Sequence, residues 1–142
     1  MAFSVTFAND VLKLILHGTT IANIAINATS GPLTSFYAAL HTAVPGNAQT
    51  DSEVTYAGYL RLLIARTSAG WTIVDNVANP VADVLFAAVA SGGGEEATHW
   101  SIGTAASGTG KVLLRGPLAP SLLLTAGVQP RVTTASTLTL AV

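Results

Sequence analysis

Residues 35–67 read SFYAALHTAVPGNAQTDSEVTYAGYLRLLIART, two apolar runs around a polar loop that opens with Val44-Pro45-Gly46. The fold turns on whether these runs are helices or strands. YAGYLRLLIA here, and ADVLFAAVA further on, are rich in Ala and Leu and have the propensity of helices. Both are short and bounded by Gly, Pro or polar turn residues, which favours strands.

Working outward, the same punctuation repeats. SAG leads into WTIVD, which predicts a hairpin with Gly70 in its turn. VADVLFAAVA runs into Gly92, Gly93 and Gly94. ATHWSIG, KVLLRG, LAPSLLLTA, VQPRVTT and STLTLAV complete the series. This gives about eight strands at the spacing of sandwiches and barrels. Parallel pairing would need crossover helices, and the chain offers one helix candidate, so an antiparallel arrangement follows. The expected fold is all-β: an antiparallel, jelly-roll-like sandwich with a short N-terminal helix.

That helix falls in NDVLKLILHG: Asn9 as cap, Asp10 in the first turn and Gly18 as the stop. Its residues are too apolar for a free surface helix, so it must lie against the body or another subunit. GTTIANIAINATSGP then reads as extended chain and turn. One domain over 1–142 results, with a helix or arm at 1–30 and a β body at 35–142.

Half of the 142 residues are apolar and 9% are charged, with a net charge of −1. Ordinary soluble domains carry about 25% charged residues. A surface this poor in charge suits either a compact β protein faced with Ala, Thr and Ser or, the favoured reading, a subunit covered by neighbours. There is no cysteine, hence no disulfide framework or thiolate metal site. The six basic residues are scattered, which argues against nucleic acid as a partner. No apolar run approaches the roughly 18 residues of a membrane helix, and the N-terminus lacks a secretion signal's basic start.

Candidate chemistry is sparse. GTAASGTGK at 103–111 resembles a phosphate loop, but Ala105 stands at the first glycine and Val112 at the hydroxyl position, and a strand-like run follows. A hairpin loop of small residues is the better reading. His17, His41 and His99 lack metal-ligand spacing and read as structural. Among seven carboxylates, Asp51 or Glu53 could meet Asp75 across a cleft, while Glu95-Glu96 reads as a solvated turn. Trp71 and Trp100 could form a sugar platform, but strand tryptophans more often pack in the core. No catalytic residues, metal ligands or cofactor-binding residues are assigned, and no cofactor is expected.

LHTAVPG at 40–46, EVTYAGYLR at 53–61, THWSIGTAASGTGKVLLRG at 98–116, NDVLKLILHGTTIANIA and GPLTSFY together resemble a family of small tailed-phage virion proteins with an LHTADPG signature. The resemblance covers nearly the whole chain. One departure is Val44, where the family has an aspartate. Aspartate braces such a turn through its own backbone, so this loop is expected to lean on a neighbour. The resemblance implies a virion structural protein without enzymatic activity, assembled in the bacterial host cytoplasm. A head decoration or cement protein on the capsid exterior is the favoured position, with the major capsid protein and its own copies as partners and a dimer favoured. A tail-fibre or receptor-binding module is the alternative. The residues expected at the interface are Leu12, Ile15 and Leu16 in the N-terminal segment, with Pro45, Tyr56, Tyr59 and Arg61 around the loop.

Overall fold

The computed structural model describes residues 4–20, 33–91 and 93–142. The segment predicted as extended chain and turn lies largely outside the described residues, as does Gly92. The fold is all-β and antiparallel, preceded by one short helix, and is consistent with the sandwich expected. Strands β1 (Ser35–His41), β2 (Leu62–Ala65), β6 (Gly93–Gly103) and β7 (Val112–Thr125) form a sheet in the order β2-β1-β6-β7. Strands β3 (Trp71–Val74), β4 (Val77–Pro80) and β9 (Leu138–Thr139) form a second sheet, and β5 (Val84–Leu85) with β8 (Arg131–Val132) a third. Sheets of four, three and two strands pair differently from the two four-stranded sheets of a jelly roll.

Strand β1 organises the core. Its partners set Phe36 opposite Ile64, Ala38 opposite Ile102 and Leu40 opposite Trp100, so these six share one face. All six are buried, and they join Trp71, Ala78, Val84, Phe86, Val132 and Leu138 from the facing elements in one apolar cluster. Fully burying a residue such as Phe86 contributes about 1.5–3 kcal/mol. The opposite face of β1 carries Ala39 and His41, and it is buried as well. A strand covered on both sides needs a second lid, and the Pro-Gly loop supplies it.

The N-terminal helix α1 spans Val5–Leu12 and runs into a π-helical turn, Lys13–His17. It starts before Asn9, so Asn9 is inside the helix rather than its cap. Gly18 ends it as expected, in a left-handed conformation with φ 68°. Leu12 and Leu16 are fully buried in the chain's own core. Arg66 secures the end: its guanidinium donates to the carbonyls of Leu14 and Ile15, both at 2.5 Å. A cation there satisfies orphan carbonyls and complements the negative end of the helix. His17 donates from Nε2 to the Trp71 carbonyl at 2.9 Å, joining the helix to β3.

The hairpin predicted at Gly70 is absent. β2 pairs with β1 and β3 with β4, so SAG is a corner between sheets. A Cβ on Gly70 would lie 2.2 Å from the Ala65 carbonyl oxygen, so this close corner requires glycine. ADVLFAAVA forms neither helix nor long strand: only Val84–Leu85 pairs, and Phe86 and Val89 reach into the core from irregular chain. KVLLRG and LAPSLLLTA merge into the single strand β7.

Candidate functional site

Residues 42–53 leave β1, cross the polar face of the large sheet and return. At the return, Thr42 N–H donates to the Ser52 carbonyl at 2.8 Å and Val54 N–H to the Leu40 carbonyl at 3.1 Å. At the far side, Gln49 N–H donates to the Gly110 carbonyl at 2.7 Å and Val112 N–H to the Asn47 carbonyl at 2.9 Å. The loop therefore covers the start of β7. Its apex is held by Arg115, whose Nη1 donates to the carbonyls of Pro45 and, at 3.0 Å, Gly46. Asp51 accepts the Ala48 N–H at 3.1 Å, the local brace that Val44 cannot give. The neighbours that steady this loop thus include its own chain.

Beneath the loop lies a buried polar layer. His41, Gln49 and Ser101 are fully buried. Ser101 is opposite Ala39 and His99 opposite His41, so Ser101 sits diagonal to His41 on the same face. His41 Nε2 and Ser101 Oγ are 2.7 Å apart, and His41 Nδ1 is 2.9 Å from the Asp51 carbonyl. A carbonyl only accepts, so Nδ1 carries the proton and Nε2 accepts from the serine hydroxyl in the neutral ring. The spacing is that of a general base and a nucleophile. The third partner, however, is a backbone carbonyl rather than a carboxylate, and both side chains are sealed from solvent. As built, this pair fastens the loop to the sheet.

Burial lowers the pKa of His41 below 6.5, the opposing hydrogen bond to Asp51 being the smaller influence. The unfolded chain then binds the extra proton in the window just below pH 6.5, so the fold keeps its full stability above that pH and loses stability as pH falls through the window. Urea midpoints at pH 7.5 and 5 should differ in the wild type, and less in His41→Gln.

The second half of the site is an ion pair. Arg61 donates from Nε to Glu53 Oε1 at 2.6 Å and from Nη2 to Oε2 at 2.7 Å. The same guanidinium reaches the carbonyls of Ala105 at 3.1 Å and Gly108 at 2.8 Å. It thus ties the return of the loop to the β6–β7 connection with a two-pronged geometry that arginine alone provides. The hydrogen bond to Glu53 is the main reason its pKa is raised. Tyr59 donates to Glu53 Oε1 at 3.0 Å and accepts the Leu40 N–H at 3.0 Å, and burial pushes its pKa up. Its ring stacks on Phe86, centroids 6.0 Å apart.

The residues expected at an interface are therefore committed inside the chain. Leu12, Leu16, Pro45, Tyr56 and Arg61 are buried, while Ile15 and Tyr59 are half-buried against the core. Tyr56 donates to the Ala87 carbonyl at 2.9 Å. Sequence reading missed Gln49, Ser101, Arg66 and Arg115, which are polar residues in ordinary strand or loop contexts. The phosphate-loop resemblance fails on geometry too: Ala105 and Gly108 present carbonyls to a cation, the reverse of an anion cradle. Trp71 and Trp100 are buried, so neither forms a sugar platform. Asp51 and Glu53 are spent on the loop, and Asp75 sits in the β3–β4 turn with φ 53°. Glu95 lies within β6 and accepts both Thr55 N–H and Oγ–H at 2.8 Å, which corrects its reading as part of a solvated turn. Among the described residues, no cluster of three His, Asp or Glu side chains could hold a metal ion. No described helix is long and apolar enough to cross a membrane.

Fold and site together define an antiparallel β protein in which buried polar side chains such as His41, Gln49, Ser101 and Arg61 hold its own loops. The chain belongs to the family described as Podophage GP4 fiber I protein gp80, whose family model matches residues 2–141. It is thus a member of a tailed-phage structural protein family. No curated protein matches the chain.

Proposed function

We propose that the protein is a non-enzymatic building block of a phage tail fibre. The observation that carries this reading is the match to a fibre family over residues 2–141. The site supports it physically. The buried pair His41 and Ser101, which has the spacing for nucleophilic chemistry, is sealed beneath a loop fastened at both ends, so no substrate reaches Ser101 Oγ. Glu53 and Arg61 neutralise one another and rigidify that same loop.

A second reading, decoration of the capsid exterior through contacts with the major capsid protein, is favoured by the compactness of a single 142-residue domain. Fibres commonly carry repeats or long coiled segments. Gold-labelled antibody against the protein, viewed on intact virions by electron microscopy, separates the two. Label on tail appendages is the expected result. Label spread over the head would replace the fibre reading with the decoration reading.

A further inference from the structure

Neither tryptophan's indole N–H has an acceptor among the described residues. That of Trp71 is sealed inside the protein. That of Trp100 lies beside Gly116, its partner across β6 and β7. Trp100 is 1% exposed, and the missing side chain of Gly116 is what leaves room at its N–H. A Cβ at 116 would stand 3.7 Å from Trp100 Nε1 and 4.0 Å from the Thr137 carbonyl oxygen, and no atom beyond the adjacent residues comes nearer. Among the described residues, no backbone N–H donates to that carbonyl, because β4 pairs with Leu138 and Thr139 and Thr137 precedes them. The notch therefore has an unpartnered donor on one side and an unpartnered acceptor on the other. Buried polar groups are normally paired, so this arrangement calls for an occupant.

Gly116 and Thr137 both line a groove of about 480 Å³ between β7 and residues 133–139, within the size range of small-ligand sites. Thr133 and Ser136 add half-buried hydroxyls to one wall, and Pro117 an apolar surface to the other. Arg115 is the charged residue of the lining. In register, however, it lies opposite Ser101 on the other face of the sheet, where it holds the carbonyls of Pro45 and Gly46. The groove thus offers a ligand neutral partners.

Those partners select the chemistry. A ligand atom that accepts from an N–H and donates to a carbonyl is a hydroxyl; a carboxylate oxygen only accepts and an ammonium only donates. A single water fits the notch, but a groove of this length, with further hydroxyls on its wall, fits a row of them. We propose that the groove binds a neutral saccharide, one hydroxyl of which sits in the Gly116 notch between the Trp100 indole N–H and the Thr137 carbonyl. Trp100 contributes its N–H edge and not a ring face, in keeping with its burial. The site goes beyond the structural role proposed above and does not rest on it.

The two indole N–H resonances in a heteronuclear NMR spectrum test it, with Trp71 as the internal control. Glucose, galactose, mannose, N-acetylglucosamine and lactose are the probes. At least one should shift the Trp100 resonance saturably, with a Kd on the order of 1 mM, and leave that of Trp71 in place. Gly116→Ala puts its methyl into the notch at ordinary contact distance, on a backbone that does not require glycine, so its urea midpoint should match the wild type. The same variant should raise the Kd by roughly tenfold or more, since the hydroxyl loses its seat. Ser136→Ala, on the wall and outside the core, should weaken the same sugar by roughly fivefold. A Trp100 resonance that no probe moves would overturn the proposal. So would an affinity unchanged in both variants, or glycerol binding as tightly as any sugar. Binding by the purified chain is read apart from the antibody label on virions, so either reading can fail without the other.

Discussion

Arg61→Ala is expected to destabilise the fold by about 3–5 kcal/mol, the cost of removing one partner from a largely buried ion pair. The side chain of Arg61 is 3% exposed and that of Glu53 15%, so water gives Glu53 little compensation. The substitution also strips a donor from the Ala105 and Gly108 carbonyls, each held at about 3 Å or closer. Tyr59 O–H would remain as a donor to a carboxylate that had lost both prongs of its fork. Arg61→Lys keeps the charge and loses the fork, and should recover only part of the loss. Urea midpoints measure all of this. The double variant Glu53→Ala/Arg61→Ala should cost less than the sum of the single ones, because the stranded charge goes with its partner. Additive costs would show that the two side chains do not act as a pair.

The elements legible in the sequence were those with strong local signals. β1 announces itself through an apolar run between turn residues, β6 only in its second half, ATHWSIG, and Gly18 ends the helix because a left-handed stop favours glycine. The corner at Gly70 was illegible because a glycine in a hairpin and a glycine under a carbonyl look alike until the Ala65 oxygen is placed. The segment after Asp83 has strand-like residues, yet its backbone bonds go elsewhere: Phe86 N–H to the Pro130 carbonyl and Val89 N–H to the Val128 carbonyl. Those partners are over 35 residues distant, beyond any local pattern. At the site, Tyr and Arg were read as interface residues from their frequency where proteins meet. The structure instead spends Tyr59 and Arg61 on Glu53, six and eight residues upstream. The spacing is visible in the sequence; the turn at Ala57-Gly58 that brings them together is not.

Gly103→Ala should cost about 1–3 kcal/mol, the range for overpacking a tight interior, although the backbone there accepts any residue. The reason is Gln49. Its side chain leaves the loop and fills a slot whose two walls are glycines. A Cβ on Gly103 would stand 2.1 Å from Gln49 Cδ, and one on Gly110 2.0 Å from Gln49 Oε1. In that slot Oε1 accepts the Ala105 N–H at 2.9 Å and Nε2 donates to the Tyr37 carbonyl at 3.4 Å. Gln49→Ala alone should therefore cost about 1–3 kcal/mol, since those two groups lose their partner inside the protein. Combining the changes is the decisive experiment. Once the amide is gone, the alanine methyl at 103 has room, and the double variant should be about as stable as Gln49→Ala by itself. Hydrogen exchange reads the same event locally: in Gly103→Ala the amides of Gln49 and Val112 should exchange faster as the loop lifts, while those of β3 and β4 stay protected. Strictly additive costs, with the loop still protected, would mean that Gln49 does not occupy the slot and that Arg61, Arg115, His41 and the backbone hydrogen bonds fasten the loop without it.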